Sequence, residues 1–104
     1  MDNYLVYVTA SSEEEAVYIG RTAVEERLAA CANVFGATTS IYRWENGIQT
    51  DPESIVILKT NSKNLKSLTN KVKNLHSYEC PCVIALNIEQ GNKEFLEWIS
   101  TETL

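Results

Sequence analysis

Residues 32–60 read ANVFGATTSIYRWENGIQTDPESIVILKT and carry the strongest structural signal in this chain. The first half, Ala32 to Trp44, is rich in threonine and β-branched residues, which predicts a long strand. Asn46-Gly47 then predicts a tight hairpin turn, because this dipeptide accepts the two positive φ angles of a type I′ turn. A second long strand is predicted from Ile48 to about Thr60.

The predicted turn also sets a register for the two strands. It places Trp44 opposite Gln49 and Arg43 opposite Thr50. Asp51-Pro52 interrupts the second strand of the hairpin. Because proline cannot donate to a strand ladder, we expect a bulge or a sheet edge at that point.

The segments flanking the hairpin complete a pattern of alternating elements. Ser12 and Glu15 form a capping box that predicts the start of a helix, and Ser62 is predicted to cap a second helix. The remaining signals are a first strand over Tyr4–Thr9, an apolar stripe on the second helix (Leu65, Leu68, Val72, Leu75), a strand over Val83–Ile88 and a short helix after Gly91-Asn92. The order β-α-β-β-α-β plus a C-terminal helix predicts one α+β domain over residues 1–104, a ferredoxin-like two-layer sandwich.

Composition restricts the classes of function. The chain has 104 residues and a formal net charge of −5, with 14 acidic against 9 basic side chains. This balance argues against nucleic-acid binding, which needs clustered lysine and arginine. No stretch is apolar and long enough to span a membrane. Without a recognisable signal peptide, and with three cysteines, an odd number, we expect a cytoplasmic protein with reduced thiols.

The strands are apolar on both faces. Leu5-Val6-Tyr7-Val8, Ile55-Val56-Ile57-Leu58 and Val83-Ile84-Ala85-Leu86 do not alternate with polar residues. A sheet with one wet face should alternate, so the second face is expected to be buried by association with other copies. The alternative is that the C-terminal helix covers it.

The densest group of reactive side chains is His76-Ser77-Tyr78-Glu79-Cys80-Pro81-Cys82. Imidazole and thiolate are ligands for copper and zinc, and Cys80 and Cys82 share a face in an extended chain. His76, Cys80 and Cys82 are therefore the candidate metal ligands. The alternative is that the cysteines are small apolar residues and that His76 caps the second helix. A His76–cysteine catalytic dyad is conceivable, but the spacing does not require one.

Four further polar or aromatic residues each have two possible structural roles. Arg43 and Trp44 form either a binding edge on a protruding ribbon or a subunit contact. Glu53 and Lys59 lie on one face of the predicted third strand, where they form either a solvated ion pair or the lining of a cleft.

Five segments spread over nearly the full length form a recognisable pattern: Leu28-Ala29-Ala30-Cys31-Ala32-Asn33-Val34, Ser40-Ile41-Tyr42-Arg43-Trp44, Leu58-Lys59-Thr60, Leu75-His76-Ser77-Tyr78-Glu79-Cys80-Pro81 and Leu96-Glu97-Trp98-Ile99. In these segments the chain resembles the CutA family of divalent-cation tolerance proteins. The resemblance implies a homotrimer similar to PII signalling proteins, a role in tolerance of copper or other divalent metals, and no defining enzymatic activity. No obligatory cofactor is expected, although copper or another divalent metal ion is a possible ligand.

The resemblance also implies a cleft between subunits. The residues that would line it are Arg43, Trp44, Glu53, Lys59, His76, Tyr78 and Glu79. An alternative function for this cleft is PII-like signalling through a small metabolite or anion, to which Arg43 and Lys59 are suited.

This chain departs from the family pattern in the loop that begins at His76. Ser77 stands where the family usually has proline, and Cys82 stands where it usually has glutamate. Val8 and Leu75 occupy positions that hold a cysteine and a second histidine in some members implicated in copper binding. Cys80 and Cys82 would offer softer ligands nearby.

Overall fold

The structure is a computed structural model that describes residues 2–104. Met1, which the predicted domain includes, lies outside the described residues. The elements are β1 (Asn3–Ala10), α1 (Glu13–Glu25), β2 (Cys31–Trp44), β3 (Gly47–Asn61), α2 (Leu65–Leu75), β4 (Val83–Ile88) and α3 (Lys93–Glu102). The strands form one antiparallel sheet in the order β2-β3-β1-β4. The predicted α+β class and ferredoxin-like order are confirmed.

One of the two hydrogen bonds of the predicted capping box is present at the start of α1. The Ser12 Oγ accepts the Glu15 backbone N–H at 3.1 Å. The Glu15 carboxylate, however, accepts the backbone N–H and the hydroxyl of Ser11, each at 2.9 Å, and not the N–H of Ser12. Glu15 therefore reaches one residue beyond the cap, toward the end of β1.

The predicted cap of α2 at Ser62 is wrong. The helix begins after Asn64, which occupies the N-cap position. The Asn61 side-chain oxygen accepts the Asn64 backbone N–H at 3.2 Å and its amide group at 2.9 Å. Asn61 is buried, so its side-chain oxygen provides the hydrogen-bond acceptor that water cannot provide at this turn.

The hairpin turn closes two residues earlier than predicted. Glu45 and Asn46 have φ angles of 48° and 64°, and Trp44 pairs with Gly47. Arg43 accordingly pairs with Ile48 rather than Thr50. The left-handed pair is Glu45-Asn46, and not Asn46-Gly47, because Asn46 takes the second position of the turn. A shift of two residues keeps every side chain on its predicted face.

The edge and the bulge considered for Asp51-Pro52 both occur, but on different strands. Pro52 pairs with Thr39 of β2, but β1 ends opposite Ser54, so Pro52 has no β1 partner on its other side. This confirms the edge. The bulge lies in β2 between Phe35 and Thr38, where the pairing register shifts. β3 itself keeps its alternation.

One face of the sheet packs against the helices α1 and α2. Gly20 of α1 sits so close to β2 that an added Cβ would lie 3.0 Å from the Ala32 Cβ. The fully buried side chains of this core alternate along the strands and line the helices: Val6, Val8, Val56 and Leu58 from the sheet, and Ala16, Ile19, Leu68 and Val72 from the helices.

The opposite face is apolar and largely open. Ile84 and Leu86 of β4 are 51% and 55% exposed, and their partners Tyr7 and Leu5 lie beside them. α3 packs at one end of the molecule, where Arg27 donates to the backbone oxygens of its last turn. Within the described residues, α3 thus leaves much of this face uncovered, contrary to the alternative considered above.

Replacement of a core side chain tests this packing. Leu68→Ala should lower the free energy of unfolding by about 2–5 kcal/mol, because the side chain is fully buried and its removal leaves a cavity. Lys66→Ala, on the exposed side of the same helix, should change it by less than about 0.5 kcal/mol. Urea unfolding measures both, and equal losses would contradict the assigned core.

Candidate functional site

His76 fixes the loop between α2 and β4 to the end of β1. It follows the last residue of α2, and its backbone N–H donates to the Val72 oxygen at 3.0 Å. The ring is 8% exposed, with Nε2 2.7 Å from the Thr9 backbone oxygen and Nδ1 accepting the Tyr78 N–H at 3.1 Å. Since Nδ1 accepts, Nε2 carries the proton and donates to Thr9. Both ring nitrogens are thus occupied within the chain.

Glu15 holds the same loop from the side of α1. One carboxylate oxygen accepts the Ser77 backbone N–H at 2.8 Å, and the other accepts from Ser11. Partial burial opposes ionisation, but the hydrogen bonds from Ser11 and Ser77 outweigh it and lower the pKa of Glu15 to about 2. A charged carboxylate therefore ties α1, β1 and the loop together at neutral pH.

Tyr78 connects the loop to β3. Its hydroxyl donates to the Glu53 carboxylate at 2.8 Å, and its ring lies 4.7 Å from that of His76. Burial and the neighbouring Glu53 carboxylate both raise the pKa of Tyr78, because each disfavours the phenolate. On the neighbouring hairpin, Tyr42 donates to Asp51. These contacts give a rigid, acidic and aromatic margin to the site.

Cys80 and Cys82 lie on the part of the loop that follows these contacts. Both are free thiols; Cys80 is exposed and Cys82 is half-buried. Cys82 immediately precedes Val83, which pairs with Val8. Residues 2–104 contain no group of three or more histidine, cysteine or acidic side chains arranged to hold a metal ion. The two thiols are thus the soft ligands available on this loop.

Lys59 belongs to a different region of the sheet. Its ammonium donates to the Asn33 side-chain oxygen at 2.7 Å, lies 3.6 Å from the Cys31 Sγ, and sits 5.7 Å from the centre of the Phe95 ring. Glu53 and Lys59 do share a face of β3, as expected, but each bonds to a different partner.

Of the residues expected to line a cleft, the chain brings together His76, Tyr78 and Glu53. Arg43 and Lys59 lie near opposite ends of the long hairpin, because Arg43 pairs with Ile48 and Lys59 with Cys31. At about 3.3 Å per residue, this separates them by roughly 35 Å along the strand. Trp44 and Glu79 are exposed. A cleft containing both basic residues therefore requires a second subunit.

Sequence reasoning missed the role of Glu15 as a clamp on the loop. The local sequence indicates Glu15 only as part of a helix cap. Its contact with Ser77 joins residues that are 62 positions apart, and no local pattern indicates such a bond. The sequence also gives no sign that the Thr9 backbone oxygen binds His76, since every residue has a backbone oxygen and none is distinguished by its side chain.

The arrangement does not favour a His76–cysteine catalytic dyad. A general base needs a free lone pair within hydrogen-bond reach of the thiol. The Nδ1 lone pair of His76 is taken by Tyr78, and Nε2 holds the proton given to Thr9. The loop is better suited to presenting ligands than to transferring protons.

Comparison with known proteins gives a consistent family match. A family model described as CutA1 divalent ion tolerance protein matches residues 4–102. The divalent-cation tolerance protein CutA of Thermus thermophilus is 42% identical over 99 residues, covering 95% of this chain and 96% of the relative. Human protein CutA is 43% identical over 97 residues, and the match covers 93% of this chain but 54% of the human protein.

The fold agrees with these matches. The crystal structure of CutA1 from Oryza sativa superposes with a TM-score of 0.97 at 39% identity, covering 100% of this chain and 95% of the rice chain. No helix within residues 2–104 has the length and apolar character needed to cross a membrane.

The Glu15 clamp predicts a pH dependence of stability. Because folding lowers the pKa from 4.5 to about 2, this carboxylate stabilises the fold above about pH 4.5 and loses that contribution as the pH falls toward 2. Glu15→Gln should therefore be less stable than wild type at neutral pH, with the difference narrowing over this range.

Urea unfolding at a series of pH values measures this difference. Glu14→Gln is the matched control, since Glu14 is exposed in the same first turn of α1. If the difference in unfolding free energy between wild type and Glu15→Gln stays constant down to low pH, the clamp is contradicted.

Proposed function

We propose that this protein contributes to tolerance of divalent metal ions, since the chain belongs to the CutA1 divalent ion tolerance family. The family description names tolerance and no catalysed reaction. The bonding of His76 supports the same reading, because its ring has no free lone pair to act as a base. The function is therefore proposed to be binding of a metal ion, not catalysis.

The proposed binding groups are the thiolates of Cys80 and Cys82. Residues two apart in an extended segment project to the same side, so both sulfurs can approach one ion. Soft thiolates select soft ions such as Cu(I), which is satisfied by two sulfur ligands. The single observation that carries this proposal is the pair of free thiols, one exposed and one half-buried, on a loop whose base is held by hydrogen bonds.

His76 enters this proposal as the residue that positions the loop. To bind a metal directly, as the sequence suggests, its ring would have to give up the bond from Tyr78 or the bond to Thr9. Loss of either would leave a partly buried backbone group without its partner, at a cost of up to about 1–3 kcal/mol. A site of two thiolates avoids this cost.

The number of ligands favours a soft ion over zinc. Structural zinc sites are tetrahedral and use four protein ligands. Residues 2–104 offer no group of even three suitable side chains. Copper in its reduced state is therefore the proposed ion. We also propose the cytoplasm as the compartment, where thiols remain reduced.

Anaerobic titration of the reduced protein with Cu(I), against a chromophoric chelator, tests the proposal. The wild type and the control Cys31→Ser should each bind one Cu(I) per chain. Cys80→Ser and Cys82→Ser should bind more weakly by over about 100-fold, since even loss of an outer partner costs about 10–100-fold in metal affinity.

His76→Gln separates the two versions of the site. It should keep the stoichiometry of one Cu(I) per chain if the histidine positions the loop, and lose it if the ring is a ligand. Equal Cu(I) affinity in wild type and both loop serine variants would refute the thiolate site. A screen of nucleotides and small anions would then test the PII-like alternative.

We further propose that the chain functions as a homotrimer, similar to PII signalling proteins. The open sheet face supports self-association, because apolar side chains that alternate with a buried core are rarely left exposed to water. On β4, the most exposed residues of this face are Ile84 and Leu86. Assembly is also the only way to place Arg43 and Lys59 in one cleft, because they lie near opposite ends of the hairpin of each subunit.

A charge placed on the open face tests this assembly. Leu86→Glu should convert the trimer to monomers in size-exclusion chromatography with light scattering, because burial of an unpaired carboxylate is strongly unfavourable. Asn87→Glu is the matched control, since neighbouring strand residues project to opposite faces. A wild type that is monomeric, or a Leu86→Glu variant that stays trimeric, would contradict this interface.

A further inference from the structure

The loop between α2 and β4 is fixed at both ends but free in between. Ser77 and Tyr78 donate their backbone N–H groups to Glu15 and His76, and Val83 joins the ladder with Val8. Outside the helices and the strand ladders of the described chain, no backbone hydrogen bond involves residues 79–82. This short stretch can therefore change its backbone conformation without breaking the bonds that hold the rest of the site.

That free stretch contains the two loop thiols with one residue between them. Two residues of fully extended chain span at most about 7 Å between Cα atoms. A disulfide usually needs about 4.4–6.8 Å. Even when fully extended, the Cys80-Pro81-Cys82 segment can exceed this range by only a little, so a small contraction is enough to bring the two Cα atoms within it. The third thiol, Cys31, begins β2 beside Lys59 and is not part of this loop.

We propose that Cys80 and Cys82 form a reversible disulfide within the loop, with a low-molecular-weight disulfide such as oxidised glutathione as the oxidant. The exposed Cys80 thiolate attacks one glutathione sulfur, forming a mixed disulfide and releasing one glutathione thiolate. Cys82 then attacks the Cys80 sulfur and expels the second glutathione. Two cysteine thiols are oxidised and one glutathione disulfide is reduced to two thiols, which take up the two protons.

The order of attack follows from exposure. Cys80 is exposed, whereas Cys82 is half-buried against the start of β4. The more accessible thiol meets the external disulfide first, and the neighbouring thiol resolves the mixed disulfide. The closed ring is small and holds the contracted backbone of Pro81, so the bond is strained. Strained and exposed disulfides are readily reduced, which makes this one reversible.

The consequence for metal binding rests on the proposed function. Neither sulfur of a disulfide can act as a thiolate ligand, so oxidation of the pair removes the proposed Cu(I) site. Reduction restores it. The metal capacity of the protein would then follow the redox state of its surroundings without any change in its fold.

The test equilibrates the full-length protein with mixtures of reduced and oxidised glutathione. After acid quenching and alkylation, mass spectrometry of peptides distinguishes the internal disulfide from glutathione adducts. The wild type and Cys31→Ser should accumulate a Cys80–Cys82 disulfide that a dithiol reductant reverses. Cys80→Ser and Cys82→Ser should stop at a mixed disulfide with glutathione on the remaining loop thiol.

Two results would overturn the redox proposal. One is a wild-type protein that carries two glutathione adducts without the internal bond. The other is a disulfide that joins two chains or includes Cys31. Cu(I) titration of the oxidised wild type then tests the link to metal: binding should fall from one Cu(I) per chain to none and return on reduction.

The redox proposal and the proposed function fail separately. If the internal disulfide forms but reduced serine variants bind Cu(I) as tightly as wild type, the thiolate metal site is refuted and the redox pair stands. If the variants lose Cu(I) binding but no internal disulfide forms, the metal site stands and the redox pair is refuted.

Discussion

The pairing of β1 with a strand on each side is the constraint on which the rest of the molecule depends. β3 and β4 both run antiparallel to it, with Val6 opposite Leu58 and Ala85. This pairing turns the even-numbered side chains of β1 toward α1 and α2, where they form the dry core. It also turns Leu5 and Tyr7 toward the open face. One strand thereby fixes both the core and the surface available for association.

The same strand positions the candidate site. β1 ends at Ala10, and the backbone oxygen of Thr9 just before that end accepts the proton of His76. Glu15 and Tyr78 add contacts from α1 and β3 to the same loop. Several elements distant in sequence thus converge on the base of the loop. The two thiols come after the last residue of this hydrogen-bond network. The loop therefore has a base fixed by hydrogen bonds and a short segment that is free to change conformation.

This combination divides the loop into a hydrogen-bonded base and a short segment that carries two thiols. The residues that hold the base are a charged carboxylate, a protonated phenol and an imidazole whose two nitrogens both form hydrogen bonds within the chain. None of them is free to exchange ligands or protons easily. The reactive groups of the loop are the free thiols of Cys80, which is exposed, and of Cys82, which is half-buried. Soft-metal binding and thiol oxidation are the two chemistries that such a pair supports, and they exclude each other.

By itself, the sequence determined the element order, the class of fold, the cap of α1 and the two apolar faces of the sheet. These follow from local periodicity and from residues close together in the chain. It misplaced the hairpin pairing and the start of α2, because Asn46 and Asn61 act through turn geometry that several neighbouring residues could satisfy. Only the tertiary structure decided that His76 holds the loop and that Glu15 clamps Ser77. Those contacts join backbone and side-chain groups far apart in the chain, and such pairs exist only once the sheet and helices have packed.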